Sequence, residues 1–288
     1  AHLTMLTRTI GERSVRRPGN LERSAAYIQT QFEKIGLPTK RQTYAYGGVP
    51  VANVVARWRG SAASAAHYVL GAHYDSVAGT VGADDNASAV AVLIETGRSL
   101  KTSAPVDGKG PHITFAAFTL EEPPAYGTRF MGSRVYARAA REKGERLDGM
   151  ICLEMVGYSN SEPGSQAYPF PLMFRNYPKT GDYIGIVGNY RSRKFTRELF
   201  DAFKKNEGLP VIKLTIPWSG YLLPTVRLSD HASFWDKGYK AVMITDTAFY
   251  RNPHYHRRSD TMDKLDYGFM AKLVESLVMF FVEQGSRG

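Results

Sequence analysis

The chain of 288 residues has a single cysteine, Cys152. One cysteine excludes an internal disulfide and a zinc cluster built from several thiolates. Cys152 lies in the apolar run 150–153, which favours a small buried side chain over a reactive nucleophile. The G-x-S-x-G pattern of a serine hydrolase is also missing. We therefore do not expect Ser229, Asp230 and His231 to form a catalytic triad.

Long hydrophobic runs are missing as well. No stretch approaches the roughly 18 apolar residues that a bilayer span requires, and the longest candidate, 277–282, belongs to a predicted amphipathic helix. We therefore expect no membrane span. No signal peptide is present at residue 1, and a start at Ala1-His2 resembles a processed end. An exported protein, periplasmic or extracellular, is expected, with a cytoplasmic location as the alternative.

Acidic residues are outnumbered, because 27 Asp and Glu stand against 37 Lys and Arg, and the net charge is +10. Such a balance is typical of nucleic-acid-binding proteins. However, the basic residues are scattered along the chain, and no nucleic-acid-binding motif is present. We expect no nucleic-acid partner and interpret the charge as a basic surface that favours acidic partners or an anionic cell surface.

Apolar runs of strand length alternate with amphipathic stretches along the whole chain. Strands are predicted at 40–46, 51–59, 68–72, 112–120, 147–153, 182–187, 211–216 and 241–245. Helices are predicted at 20–34, with Asn20 as N-cap, and at 87–100, 131–143, 192–206 and 267–283. This alternation predicts a single α/β domain over residues 1–288, with a mostly parallel mixed central sheet and helices on both faces.

Two segments lie outside this alternation. Residues 1–19 are interpreted as a loop or a short lead-in. Residues 157–181 are rich in Gly, Pro, Ser and aromatic side chains and show no periodicity. A long segment of this kind is typical of a functional loop, so we expect it at the active site.

Histidines and acids gather where the predicted strands end. If these strands are parallel, their carboxyl ends meet at one crevice, which would hold two histidines and at least four carboxylates. That much negative charge is unfavourable without cations, and imidazole with carboxylate suits zinc. A metal centre is therefore predicted. Its candidate residues are His73, Asp75, Asp85, Glu121, Glu122, Glu154 and His256.

The adjacent pair Glu121-Glu122 has a specific interpretation. At the end of a strand, one of the two carboxylates can bind a metal while the other faces a bound water and acts as its general base. A carboxylate shared between two ions would hold them about 3.5–4 Å apart.

Five segments together carry a resemblance to a known family. They are GAHYDS (71–76), GADDNAS (82–88), LEE (120–122) with MGS (131–133), LEMVGY (153–158) and NPHYHRRSDT (252–261). In this order and at strand ends, the chain resembles the zinc aminopeptidases of peptidase family M28. The resemblance implies a zinc-peptidase (phosphorylase/hydrolase-like) architecture, two zinc ions per chain, and hydrolysis of the N-terminal residue of a peptide substrate.

The resemblance also implies a role for each metal ligand. Asp85 would bridge the two zinc ions, with His73 and Glu154 completing one site and Glu122 and His256 the other. Family members often carry Asp where this chain has Glu154, and Gly where it has Ala89.

Other residues are assigned supporting roles. By resemblance, Glu121 would be the general base, Tyr255 would stabilise the oxyanion, and Asp75 would orient a ligand histidine through its other ring nitrogen. The Asp85–Asn86 peptide bond is cis in similar enzymes. Asp230 is interpreted as supporting the ligands or lining the substrate pocket.

Three alternatives remain at this stage. The first is an acyltransferase similar to glutaminyl cyclases, which hold one zinc ion and share the HYDS segment. The second is a carboxypeptidase on the same scaffold. The third is a non-catalytic binding module, as in receptor ectodomains of the same superfamily, which is disfavoured because those typically lack the ligands. Zinc content would separate the first from a dinuclear peptidase.

Overall fold

A computed structural model describes residues 1–60, 65–103 and 110–285. In these ranges, no helix has both the length and the apolar character that crossing a membrane requires. Eight strands form a single sheet in the order β1-β2-β4-β3-β5-β8-β6-β7. Their bounds are β1 Thr39–Tyr46, β2 Val49–Trp58, β3 His67–His73, β4 His112–Phe118, β5 Gly149–Glu154, β6 Ile184–Asn189, β7 Val211–Ile216 and β8 Ala241–Thr245.

The four central strands, β4, β3, β5 and β8, are mutually parallel. Antiparallel pairs join β1 to β2, β2 to β4, and β6 to β8, while β6 and β7 are parallel. The predicted mixed α/β sheet is therefore confirmed. Because the central strands run the same way, their carboxyl ends lie along one edge, where a ligand site is expected.

Helices cover both faces of the sheet. They are α1 Pro18–Ile35, α2 Ala89–Ser103, α3 Gly132–Glu142, α4 Arg193–Phe203, α5 His231–Asp236 and α6 Tyr267–Gly285. On one face α1, α2, α4 and α6 pack around a core that includes Phe32, Leu93 and Phe280. On the other face α3 and α5 pack around Phe118 and Phe234. The central strands are buried on both sides, which explains why they are apolar throughout.

The start of the chain differs from the prediction of a loop. Thr4–Ile10 is helical, and Leu6 and Ile10 are buried against the core. The first predicted helix also begins earlier, since α1 starts at Pro18 with Arg17 as its N-cap. Asn20 does not cap it, because its side-chain amide donates to the carbonyls of Ile10 (3.0 Å) and Glu12 (2.8 Å) instead.

The segment 157–181 has little regular structure, in line with the sequence. It contains one short 3-10 helix, Pro171–Arg175, and one bridge between Asn160 and Gly181. Its place beside the candidate site is described below.

Candidate metal centre

Two sets of three potential ligands meet at the carboxyl ends of the parallel strands. One set is His73, Asp85 and Glu154, and the other is Asp85, Glu122 and His256. Within each set, one ligand atom from every residue lies within 4.8 Å of the others. The structure thus brings together all five ligands that the sequence predicted, and Asp85 belongs to both sets.

The two oxygens of Asp85 face different histidines. Its Oδ1 lies 3.5 Å from Nε2 of His73, and its Oδ2 lies 3.2 Å from Nε2 of His256. Glu154 stands on the first side, 3.4 Å from His73 Nε2, and Glu122 on the second, 3.4 Å from His256 Nε2. A carboxylate that points one oxygen into each of two ligand sets has the arrangement of a bridge between two ions.

Two buried atoms at this centre make no hydrogen bond within the described ranges: Nε2 of His73 and Oε1 of Glu122. A polar atom that is buried without a partner is costly. Imidazole nitrogen with carboxylate oxygen is a donor set that zinc accepts. A divalent ion in each ligand set would give the unpartnered atoms a partner, so the residues present fit the metal.

Electrostatics points the same way. Burial raises the pKa of Glu121 well above its usual value, and burial followed by the charge of Asp85 raises the pKa of Glu122 to about 8. Burial would lower the pKa of His256, but its contacts with Asp85 and Glu122 raise it to about 10. Burial and the repulsion between neighbouring carboxylates thus favour their protonated forms, and bound cations would relieve that repulsion.

Asp75 connects the end of β3 to the end of β4. Its Oδ1 accepts the backbone N–H of Glu121 (3.1 Å), and its Oδ2 accepts that of Glu122 (3.0 Å). Nδ1 of His73 lies 3.2 Å from the carbonyl of Asp75 and 3.5 Å from its Oδ1. Asp75 therefore contacts the other ring nitrogen of His73, as expected, and also holds the Glu121-Glu122 pair, which the sequence did not indicate.

The backbone that carries Asp85 is held by Asp260. The carboxylate of Asp260 accepts the N–H groups of Asp84 (2.8 Å) and Asp85 (3.1 Å). The next residue, Asn86, donates to the carbonyl of Leu153 (3.1 Å), and the Asp85–Asn86 peptide is cis, as the resemblance implied. Asp260 lies in the NPHYHRRSDT segment, so that motif could have identified it.

Asp84 does not compete with its neighbour as a ligand. Its Oδ1 accepts the backbone N–H of Gly157 (2.9 Å), and its Oδ2 accepts the side-chain amide of Asn252 (2.6 Å). Asp84 is therefore engaged away from both ligand sets, and it connects the strand that carries Glu154 to the loop that carries His256.

Glu154 is held by a hydroxyl from another segment. Ser229 donates to Oε2 of Glu154 at 2.5 Å, and the thiol of Cys152 lies 3.1 Å from the same serine oxygen. Cys152 is fully buried and burial raises its pKa, which agrees with a structural cysteine. The longer Glu side chain at position 154 thus reaches the centre with a fixed orientation.

Arg13 lies beneath the centre and was missed at the sequence level. It is fully buried, and all the acceptors of its guanidinium among the described residues are backbone carbonyls. Its Nε donates to Tyr74 (2.6 Å), its Nη2 to Gly82 (2.9 Å), and its Nη1 to Val81 (2.6 Å). The side chain joins the N-terminal segment to the loop between His73 and Asp85. A lone arginine in a segment without strand or helix pattern gave no signal.

Glu121 stands beside both ligand sets and belongs to neither. Its Oε2 is 3.8 Å from Nε2 of His73, and the residue is 6% exposed. On the other side of the centre, the ring of Tyr255 stacks on the ring of His256, with centroids 3.8 Å apart. Glu121 and Tyr255 are thus both next to the ligands, where the predicted roles require them.

The segment 229–231 does not form a catalytic triad. The ring of His231 bonds through Nε2 to the carbonyl of Val226 (2.8 Å) and stands edge-on to Trp235. Asp230 is fully buried, and burial raises its pKa to about 7. No hydrogen bond or ion pair between described residues joins Asp230 to a ligand, and its buried carboxylate acts on His73 and Glu121 through its charge.

An apolar cavity of about 110 Å³ opens beside the centre. Glu154 and Tyr255 form its wall on the side of the ligands, and its lining contains no Lys or Arg within the part of the chain described. The predicted active-site segment 157–181 supplies several lining residues. The other lining residues include Ile186, Val187, Ile212, Leu214, Val226, Leu228, Met243 and Phe249.

Comparison with known proteins gives a consistent result. A sequence profile of peptidase family M28 matches residues 53–281. The uncharacterized protein YfbL of Escherichia coli K12 is 40% identical over 281 residues, which are 95% of this chain and 83% of that protein. Leucine aminopeptidase 1 of Fusarium vanettenii is 25% identical over 212 residues, 70% of this chain and 47% of that protein. The chain spans about half the length of the curated aminopeptidases that it matches.

Solved structures share the fold. LapA aminopeptidase of Legionella pneumophila superposes with a TM-score of 0.74 at 21% identity, covering 99% of this chain and 70% of that one. The zinc aminopeptidase BSAP of Bacillus subtilis gives 0.72 at 16% identity, covering 98% and 93%. The glutaminyl cyclase of Porphyromonas gingivalis gives 0.68 at 20% identity, covering 98% and 97%.

Proposed function

The chain belongs to peptidase family M28, and from that premise we propose that it is an aminopeptidase with two zinc ions that removes apolar N-terminal residues from peptides. The observation that carries this proposal is the pair of ligand sets that share Asp85. When bound, zinc polarises a carbonyl and lowers the pKa of water so that a nucleophile is available near neutral pH.

Glu121 is the proposed general base. It follows β4, next to Glu122, but stays outside both ligand sets, so its carboxylate is free to take a proton from the attacking water. The same carboxyl group then delivers that proton to the departing amine. Tyr255 lines the cavity beside Glu154, and its hydroxyl is the proposed donor to the oxyanion that develops on the scissile carbonyl.

The choice of an aminopeptidase over a carboxypeptidase is supported by charge. A carboxypeptidase needs a cation to bind the C-terminal carboxylate of its substrate. Among described residues, the cavity beside the centre is lined by no Lys or Arg, whereas Glu154 lies at its wall. Buried acids of this kind favour the protonated amine of a free N-terminus.

The cavity also supports a class of side chain. Its lining is mostly apolar, and several of its polar members are already engaged within the protein: Gln166 donates to Thr247 (2.8 Å), and Tyr177 donates to the carbonyl of Lys213 (3.2 Å). A substrate amide would therefore find few free partners. This favours Leu, Met or Phe at the N-terminus, and it disfavours the glutamine that a cyclase accepts.

The test is a panel of aminoacyl-p-nitroanilides assayed with zinc-loaded enzyme, with zinc content measured on the same sample. We expect two zinc ions per chain, fast release from the Leu, Met and Phe substrates, slow release from Glu and Lys substrates, and none from N-acetyl-Leu-p-nitroanilide. One zinc ion per chain, with ammonia release from glutaminyl peptides and no arylamide hydrolysis, would instead establish the cyclase.

A further inference from the structure

A second concave site lies at the opposite end of the strands from the metal centre. It is a groove of about 580 Å³ between β1, β2 and the C-terminal part of α3. Arg57, one of its residues, pairs with Thr114 near the start of β4, whereas the ligands follow the end of that strand. We call it the basic groove. Its charged and aromatic lining residues are Lys40, Arg41, Arg57, Arg59, Lys143, Glu145 and Tyr136.

The register of the sheet concentrates positive charge on this face. Lys40 pairs with Val55 across β1 and β2, so both point to the same side, and Arg57 follows two residues later on that side. Arg41, the next residue along β1, contributes to the lining, but alternation directs its side chain toward α1, where its guanidinium is paired with Glu22 at 2.6 Å. Alternation along the two strands therefore separates paired from unpaired cations.

Four cations of the basic groove have no partner within the described ranges: Lys40, Arg57, Arg59 and Lys143 are exposed and form no ion pair or side-chain hydrogen bond. Glu145 is the one acid in the described lining. Like charges around one concavity repel one another, and an anionic ligand would remove that repulsion.

A buried hydroxyl gives an independent indication of a polar ligand. Tyr136 lines the groove but is only 7% exposed, and its hydroxyl makes no hydrogen bond of good geometry to a described residue. Against the effect of burial, the Thr114 hydroxyl beside it lowers its pKa, but that hydroxyl is itself bound to Nε2 of His67 (2.9 Å). The ring of Tyr136 is fixed against Phe118 and Phe234. Burial raises the pKa of Tyr136 to about 12, so the hydroxyl keeps its proton as a donor. A buried hydroxyl without a partner is costly, and an oxyanion is a suitable acceptor.

We propose that the basic groove binds a compact polyanion that carries several phosphate or sulfate groups. Guanidinium groups bind tetrahedral oxyanions with two parallel hydrogen bonds, and the groove contributes Arg57 and Arg59 for this purpose. Its volume is within the range of small-molecule sites, about 300–1,000 Å³. A concave site of this size fits a compact ligand better than it fits a flat membrane or a nucleic-acid duplex.

The test is isothermal titration of the zinc-loaded protein with sucrose octasulfate, whose sulfate groups bind zinc weakly, and in a second arm with tripolyphosphate. The groove variant is R57Q/R59Q. The matched control is R193Q/K194Q on α4, which removes the same net charge elsewhere. Y136F removes the buried hydroxyl with little change in packing. Zinc content is measured after each titration, and arylamide hydrolysis verifies that each variant is folded.

We expect at least one probe to bind the parent protein and the control variant with similar affinity. For R57Q/R59Q we expect the affinity for that probe to fall by roughly tenfold or more, and for Y136F we expect a smaller fall. Binding of one probe alone would identify sulfate or phosphate as the preferred group. The proposal is overturned if neither probe binds the parent protein, or if the two double variants lose affinity equally, because only net charge would then matter. Either result leaves the peptidase proposal untouched.

Discussion

The carboxylate of Asp75 accepts the backbone N–H of Glu122 at 3.0 Å, so a residue of one strand end fixes a ligand on the next. D75N would present an amide where two N–H groups now donate, and the position of the Glu121-Glu122 pair would relax. We expect zinc affinity to fall about 10–100-fold, with a parallel loss of kcat. Zinc competition with a chelator of known affinity measures the first. Unchanged zinc affinity would contradict the positioning role.

Glu121 is assigned the proton transfers, and E121Q tests this with a nearly identical shape. Because Glu121 belongs to neither ligand set, E121Q should keep both zinc ions while kcat falls about 10²–10⁴-fold. E162Q makes the same chemical change at an exposed position of the 157–181 segment and serves as the control. An E121Q enzyme with normal kcat would remove Glu121 as the base.

The two ligand sets share one residue, which predicts unequal effects of ligand removal. D85A should lose both zinc ions, because each set would keep only two side chains. H256A should lose the ion of its own set and retain the other. Elemental analysis after dialysis against low zinc distinguishes these outcomes. A D85A protein with two zinc ions per chain would exclude the bridging role.

Replacing Arg13 is expected to destabilise the protein strongly, although no carboxylate among the described residues is in hydrogen-bond contact with it. R13M would leave the carbonyls of Tyr74, Val81 and Gly82 buried without their donor. We expect the free energy of unfolding to fall by roughly 3–5 kcal/mol, and R13K to recover only part of it, because Lys cannot reproduce the planar fork. Urea unfolding measures this, with R16M, at an exposed position, as the control. Equal midpoints for R13M and R16M would refute the prediction.

His231 predicts a dependence of stability on pH. Burial lowers its pKa from 6.5 to about 4, so the folded protein binds fewer protons than the unfolded chain between these values. Stability is therefore fully present above about pH 6.5 and is lost as pH falls toward 4, by up to roughly 3 kcal/mol. H231Q keeps an N–H donor for Val226 but does not titrate in this range.

Unfolding measured at pH 7.5 and at pH 5 should show a smaller loss for H231Q than for the parent protein. The comparison between the two proteins removes the contribution of other titrating groups. Parallel losses would mean that His231 does not contribute to the acid sensitivity.

Local patterns in the sequence predicted the sheet and the candidate metal-binding residues, whereas the role of each candidate ligand came from the family resemblance. Apolar runs defined the central strands, and acids at their ends defined the centre. Arg13 and the helical segment Thr4–Ile10 were missed, because their burial depends on distant parts of the chain that no local pattern reports. Asp260 was also missed: it lies in the NPHYHRRSDT motif, but its contacts with Asp84 and Asp85 cross 175 residues or more of sequence, so the motif alone did not indicate its positioning role.

The basic groove could not be predicted from the sequence, for a different reason. Scattered cations along the chain gave no pattern, and only the register of β1 against β2 separates Lys40 from Arg41. One faces the groove, and the other is neutralised by Glu22.

The ligands and the apolar cavity come mostly from different parts of the fold. The candidate ligands lie at or after the ends of β3, β4, β5 and β8, whereas much of the cavity is formed by β6, β7 and the segment 157–181. Substitutions in β6, β7 or the segment 157–181 are therefore expected to change which substrate side chain the cavity accepts, without changing the reaction at the metal centre. Under the proposed peptidase function, relatives that keep these ligands are expected to differ in the substrates they accept while they share one reaction.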